Sequence, residues 1–409
     1  MRGMTENLTI GERVAWYRRR RGMSQEALAG LVGRTGEWLR KAENNRAELD
    51  RLSVIRRLAD ALDVALGDLI GEPALLDWTP DSGTSTVPAL RAALMDYRQL
   101  TPILSATSDD AEPPSLDALA SELRSVFDAY QNSRFGFAAG RAPLLLADAL
   151  LAARQYEGDQ RIRAHELLAL SYQAGASVLT KLGESDLAWM AAERGLAAAQ
   201  QSDNHAITGS LFRSVAFALL STGRHEPAMR LTEAGAAYLE PHVGTGDGEV
   251  LSAYGTLFLA GSMAAARSDD RTTTRSYLAE ADDAARRLGT DSNYLWTAFG
   301  PTNVAIHRVN TAMELGDIQV ALDLGPTLDT SALPAERQVR HLLDVARAYN
   351  SSGRADMALS TVLDAERKAP DQVRHHYLSR QLVLNWVRNA PGKPSFELDQ
   401  LARRMRVVG

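Results

Sequence analysis

GMSQEALAGLVGRTGEWLRKAENN, residues 22–45, decides how the N-terminal part of this chain folds. Ser24 is placed to cap a helix whose apolar residues Leu28, Leu31 and Val32 share one face. Gly33 ends that helix, because a residue without Cβ accepts the left-handed conformation a sharp turn needs. A second helix is expected from about Thr35 to Glu43, with Leu39 and Ala42 facing inward. Asn44-Asn45 closes it, since asparagine also tolerates a left-handed cap.

The flanks complete a module. Ile10, Val14 and Tyr17 follow near-helical spacing and give an opening helix that runs into Arg18, Arg19, Arg20 and Arg21. Downstream, Ile55, Leu58, Ala59 and Leu62 form a core-facing stripe, and Leu66, Leu69 and Ile70 suggest a fifth short helix before Gly71 and Pro73. Two short helices joined by a tight turn in front of an amphipathic helix are the helix-turn-helix signature, in which the second helix of the pair enters the major groove. Residues 8–72 resemble the phage repressor/Cro type, also called the XRE family, on the glycine, the caps, the apolar spacing and the closing Glu43-Asn44-Asn45.

That resemblance implies roles by position. Gln25, at the start of the second helix, holds a phosphate, assisted by the amides of that helix N-terminus. Arg34, Thr35, Glu37 and Lys41 occupy groove-facing positions of the reader helix, with Lys41 suited to guanine O6/N7 and Glu37 to a cytosine amino group. Arg40 and Arg46 suit backbone phosphates. Gly36 departs from the family, which usually carries a longer polar side chain there; its loss removes one base contact or lets the backbone approach the DNA. Two bland readings stand beside these: Glu37 and Lys41 as an ordinary i,i+4 surface pair, and the four-arginine run as a solvated face. Trp38 suits a core plug as well as a groove contact.

Charge divides unevenly. Residues 1–72 carry a net +2 and the rest of the 409-residue chain −8, for a total of −6. An acidic chain does not cling to DNA without regard to sequence, so binding has to come from a local basic surface, doubled in a dimer. There is no cysteine, which excludes disulfides, thiolate zinc sites and cysteine nucleophiles together. The first residues hold no apolar signal core, and no later run approaches the length of uninterrupted apolar sequence a membrane span needs. The expected protein is soluble and cytoplasmic, engages no membrane and is nearly all helix, in keeping with its abundant Ala, Leu and Arg.

Residues 1–72 are therefore read as the DNA-reading domain, 73–115 as a linker with one helix (about Val87–Leu100), and 116–409 as a helical-repeat domain. The repeat is clearest from His341, where Leu342, Val345, Ala346, Tyr349, Gly353, Ala358, Val362, Ala365 and Pro370 stand at the offsets of a tetratricopeptide repeat. Weaker copies keep the glycine-to-alanine step at Gly183/Ala188, Gly223/Ala228 and Gly316/Ala321, and a degenerate one has Asp269 and Thr274 in those slots. Residues 116–158 add a further helix pair and 395–407 a capping helix. Such pairs stack into a superhelix whose concave face is lined by the first helix of each pair.

Counting back from each turn gives the groove-facing positions. They are Gln173 in the first copy, Arg213 and Phe217 in the second, Asn303 and Asn310 in the fourth, and Arg340, Arg347 and Asn350 in the fifth, with Trp296 and His307 at the rim. Arginine and asparagine at these spacings suit an extended peptide's amides or its carboxylate. Alternatively they are solvated, or pair with Glu314 or Asp344 of neighbouring helices. His375-His376 lacks companion ligands and reads as surface.

Catalytic signatures are missing: no phosphate loop, zinc-protease helix, nucleophile elbow or dinucleotide fingerprint occurs, and VGTGDGEV from Val243 lacks the lysine a phosphate cradle needs. The expectation is a non-enzyme without cofactors or metal. The whole arrangement resembles the peptide-sensing regulators of Gram-positive bacteria and, most, the actinobacterial XRE–tetratricopeptide transcription factors. The resemblance implies a homodimer on an inverted-repeat operator in double-stranded DNA, controlled by a peptide or small-molecule effector in the groove. Two alternatives remain open. The repeats dock a partner protein that the small domain targets to DNA, or the small domain has become an interaction module. Whether Asn303, Asn310, Arg340 and Arg347 converge on an enclosed site or spread along an open channel separates sensor from adaptor.

Overall fold

The computed structural model describes residues 8–64, 66–70, 87–96, 112–244 and 247–407. Most of the linker expected at 73–115, including the C-terminal end of its helix expected to reach Leu100, lies outside them. The fold is all-α: a five-helix domain followed by a helical repeat. The one departure from helix and turn among the described residues is an isolated antiparallel bridge between Ser292 and Phe299.

The first five helices are α1 (Ile10–Arg20), α2 (Gln25–Leu31), α3 (Gly36–Glu43), α4 (Leu52–Ala61) and α5 (Leu66–Ile70). Each of the first three opens on a hydroxyl cap. Thr9 forms a reciprocal capping box with Glu12, Ser24 accepts from the Ala27 amide, and Thr35 accepts from the Trp38 amide. Gly33 and Asn45 both take positive φ (68° and 58°), as the turn requires. Ile10, Val14, Leu28, Leu39, Ile55, Leu58 and Leu62 meet in one small core. Leu31 does not join them and is 65% exposed. At about 100° per residue it falls roughly a quarter-turn beyond the Leu28–Ala29–Val32 stripe. Arg18 also departs from expectation. It turns inward, is buried, and forms a two-point pair with Glu43 at 2.5 and 2.8 Å.

Next come α6 (Val87–Leu94) and then six helix pairs: α7/α8 (Leu116–Gln131, Phe135–Gln155), α9/α10 (Gly158–Lys181, Ser185–Ala199), α11/α12 (His205–Ser221, His225–Val243), α13/α14 (Gly248–Arg267, Arg271–Leu288), α15/α16 (Pro301–Leu315, Ile318–Leu324) and α17/α18 (Ala335–Ser351, Ala355–Lys368). The chain then closes with α19 (Pro370–His375), α20 (Tyr377–Asn389) and α21 (Phe396–Arg404). Within pairs the turn residues Gly183, Gly223, Gly316 and Gly353 have φ between 73° and 80°, and five positions on, Ala188, Ala228, Ala321 and Ala358 are fully buried where the two helices touch. Asp269 adopts the same backbone (φ 60°) and Thr274 is likewise buried, so the degenerate copy keeps the geometry. Ser133 and Ala138 repeat it in the first pair.

The first helices of the pairs form an inner layer. Each packs on the next, α7 on α9, α9 on α11, α11 on α13, α13 on α15 and α15 on α17. α17 then returns to α7, so the layer closes into a ring. Ser133 Oγ to Gln372 Oε1 (2.6 Å) and Lys181 to Glu336 fasten the closure. α8 is long and apolar enough, by length and composition, to cross a membrane, but half of that stretch is buried between α7 and α9 as a core helix.

Candidate functional site

The reader helix α3 begins at the Thr35 cap and is anchored from behind by Leu39, Ala42 and Glu43. Glu43 is the fixed point. It receives Arg18 of α1 and, at 2.7 Å, the side-chain amide of Gln25 of α2, so one buried carboxylate sets the mutual angle of three helices. Gln25, the expected phosphate contact, therefore spends its Nε2 on this internal bond. On the opposite side, Arg34, Thr35, Glu37, Arg40, Lys41 and Arg46 are exposed together. Glu37 and Lys41 form the i,i+4 pair at 2.9 Å, and that hydrogen bond from Lys41 holds the Glu37 carboxyl below its ordinary range. Trp38 packs partly against the core while the Arg34 guanidinium lies 5.5 Å from its ring centre, which makes it a support for Arg34. A Cβ at Gly36 would press on the Glu26 side chain at 3.2 Å, so the absent side chain lets α3 start close to α2.

The domain rests on the repeat ring by its other side. Arg51 Nε donates to the Glu314 carbonyl (2.6 Å) and its Nη2 to Asp269 (2.5 Å). Arg56 donates to the Thr222 carbonyl, and the Ile10 amide to Gln381 Oε1 at 3.0 Å. Glu48 receives Asn350 and Ser351, and Glu12 pairs with Arg388. The domain thus sits over the C-terminal ends of α11, α13, α15 and α17, with the reading face outward.

Inside the ring, the residues expected along a groove meet in a bonded interior. Arg347 is 2% exposed in its side chain and lies between Asp50 of the small domain (2.6 Å) and Glu314 (3.1 Å). These carboxylates hold its guanidinium firmly protonated, against the opposing effect of burial. Asn310 donates to Asp344 at 2.6 Å, and Arg340 reaches Asp344 (3.7 Å) and His376 Nε2 (3.1 Å). Asn350 accepts from the Trp386 indole. For Asn310 and Arg347 the pairing with Glu314 and Asp344, weighed at the sequence level, is what the fold contains. His376 is corrected as well: it faces inward, and burial followed by the charge of Arg340 holds its pKa well below the ordinary value.

The loop between α14 and α15 supplies the rest. Trp296 is not a rim residue but stacks on Phe127 of α7, with ring centres 4.1 Å apart. The Leu295 carbonyl faces Gln173 Nε2 at 3.4 Å, Asn303 donates to the Ala298 carbonyl at 2.8 Å, and Asn293 exchanges bonds with Gln131. Phe299 sits so close to Gly255 that any side chain there would overlap its ring. Leu295, Trp296 and Ala298 all take φ near 50°, a conformation that persists in larger residues only when surroundings enforce it. The loop crosses the ring at the N-terminal end of α15, and beside it a cavity of about 300 Å³ is lined by Gln131, Asp291, Asn293 and Leu333. His307 is buried and hydrogen-bonds the Asn303 carbonyl; burial, with Arg337 nearby, pushes its pKa down to about 3.

Arg213 lies over Phe217 at 5.4 Å with its Nε unpartnered. Four interior residues escaped the sequence reading: Lys181, Arg267, Glu336 and Arg337. A signal for two of them existed. Lys181 and Arg267 each stand two residues before a turn residue, as Glu314 does before Gly316. The docking residues Glu48, Asp50, Arg51 and Arg56 carried no comparable mark.

No curated protein matches the chain. Among solved structures, the chain is similar to one described as the crystal structure of aspartyl phosphate phosphatase F from Bacillus subtilis, at 13% identity, over 88% of this chain and 93% of that one, with a TM-score of 0.45. A likeness that weak carries no argument about function. Residues 9–71 match the family model described as helix-turn-helix domain, the segment that folds as α1–α5, and this chain therefore carries an N-terminal helix-turn-helix DNA-binding domain.

Proposed function

We propose that the protein is a sequence-specific, DNA-binding transcriptional regulator, non-catalytic and cytoplasmic, whose DNA affinity or dimer geometry is set by an effector inside the repeat ring. One observation carries this reading. The helix-turn-helix domain docks on the ring by Glu48, Asp50, Arg51 and Arg56 while Arg34, Glu37, Arg40 and Lys41 stay exposed on the other side. A reader held this way presents α3 to a major groove, and its orientation depends on contacts to the ring. An effector that binds the docked and undocked arrangements unequally would change operator affinity by that difference.

The adaptor reading is less favoured, because Asn303, Asn310, Arg340 and Arg347 converge on an interior flanked by the 289–300 loop and the docked domain. A second copy placing another α3 one DNA turn away belongs to the same proposal. Genomic DNA captured by the purified full-length protein and sequenced tests it. An inverted-repeat site is expected. No enrichment above salt-sensitive background, with and without added cell extract as an effector source, would reject it.

A further inference from the structure

The interior of the ring holds more positive charge than it neutralises. Six cations line it: Lys181 of α9, Arg213 of α11, Arg267 of α13, and Arg337, Arg340 and Arg347 of α17. Three carboxylates of the ring face them, Glu314, Glu336 and Asp344. Docking adds Asp50 and Glu48 at the Arg347 end, which still leaves a surplus of one. Lys181 and Arg340 keep 25% and 24% of their side-chain surface accessible, although protein surrounds them, so they border internal space.

The unmet hydrogen bonds point the same way. The Nε atoms of Arg213, Arg267 and Arg337 have no hydrogen-bond partner, Arg337 Nε standing 3.8 Å from Glu336 Oε2, and burial drives the Arg213 guanidinium down to about 10. On α15, Asn303 and Asn310 are 1% and 4% exposed, and each spends its amide NH2 on an oxygen acceptor, which leaves both Oδ1 atoms unpaired acceptors. Buried donors and cations in this state are costly unless something completes them.

We propose that the ring interior is a binding site for a small organic anion that presents a carboxylate or phosphate to Arg213 and Arg337, which stand close to each other and to His307, and hydroxyl or amide donors to Asn303 and Asn310. Guanidinium groups suit both oxyanions because their paired N–H groups match the oxygen spacing. Enclosure sets the size. α17 meets α7, the 289–300 loop crosses one end and the helix-turn-helix domain covers the other, so among the described residues no groove lies open along the length an extended peptide needs. Arg347 links this site to the reader, since its guanidinium faces Glu314 inside and Asp50 of the docked domain. The inference deepens the regulator reading by naming the chemistry of its effector.

The test is calorimetric titration of the refolded full-length chain with citrate and, separately, inorganic phosphate, at matched ionic strength in chloride. Saturable binding of one or both is expected; phosphate alone identifies a phosphate ligand and citrate alone a carboxylate. The variant R213Q/R337Q is expected to bind at least about tenfold more weakly, while exposed-site R367Q binds normally. If the double variant does not fold, R213K, which keeps the charge and loses the fork, is expected to bind several-fold more weakly. Absence of saturable binding to either anion, or equal binding by the interior variants, overturns the proposal. Operator capture measured alongside separates the two claims: DNA binding without anion binding removes only the anion site, and anion binding without an operator removes only the regulator.

Discussion

Arg347 is where one substitution should report on both halves of the molecule. Its side chain is 2% exposed, and it holds Glu314, 1% exposed, on one side and Asp50, 18% exposed, on the other. Arg347→Met strands the Glu314 carboxylate in the interior, where its Oε2 already lacks a partner. Removing one member of a buried pair costs about 3–5 kcal/mol, because the remaining charge keeps its desolvation penalty. Asp50→Asn is different in kind. It leaves the Arg347–Glu314 pair intact and weakens one charge-assisted contact between domains, about 1–3 kcal/mol of docking, or roughly 5- to 150-fold in the docking equilibrium. Urea unfolding followed by tryptophan fluorescence measures the first quantity. The second is read by distance measurement between labels at A27C and R354C, exposed positions in a chain without native cysteine. Arg347→Met should lower global stability, and adding Glu314→Gln should restore most of the loss. Asp50→Asn should broaden the inter-label distance with little change in the unfolding midpoint. Equal effects of the two single variants, or no recovery in the double, would refute the assignment of Arg347 as a buried charge shared by ring and reader.

Other consequences follow from single contacts. Replacing both Glu37 and Lys41 by alanine should cost about 1–3 kcal/mol of operator affinity per lost base contact while circular dichroism and the oligomeric state, whatever it is, stay unchanged; undiminished binding would show that α3 reads through other residues. Gly255→Ala places a methyl into the Phe299 ring, so the 289–300 loop should be displaced and thermal stability should fall by about 1–3 kcal/mol, measured by calorimetry and by hydrogen exchange at residues 295–299. pH offers a third check. His307 is held near 3 by burial and its cationic neighbours, and His225 and His375 near 4, so each stays neutral in the fold while the unfolded chain takes up protons below its ordinary 6.5. Stability supported by neutral histidine is present above that value and is lost as pH falls towards the folded pKa. His307 alone should take away about 1 kcal/mol between pH 7 and 5.5, and a midpoint that does not drop in this window would contradict the burial.

The N-terminal domain was legible because its signals are local. Caps at Ser24 and Thr35, turns at Gly33 and Asn45, and apolar residues at helical spacing each act within one turn of chain. The repeat was legible for the same reason, even at Asp269 and Thr274, where the letters change and the backbone does not. Leu31 and Arg18 show where locality ends. One is apolar and faces outward, the other is charged and faces inward, because a carboxylate twenty-five residues away at Glu43 completes the arginine. The groove residues went the same way. Their register on the inner helices was readable from the turns, but Asn310 and Arg347 met Asp344, Glu314 and Asp50 only when separate helices came together. The sequence by itself determined that the chain is helical, that its first module is a helix-turn-helix, and which helices line the inside, since those properties follow from periodicity and turn chemistry. Closure of the ring, the loop across it and the docking of the reader were decided by the tertiary structure alone, because each depends on surfaces meeting that are up to hundreds of residues apart in the chain.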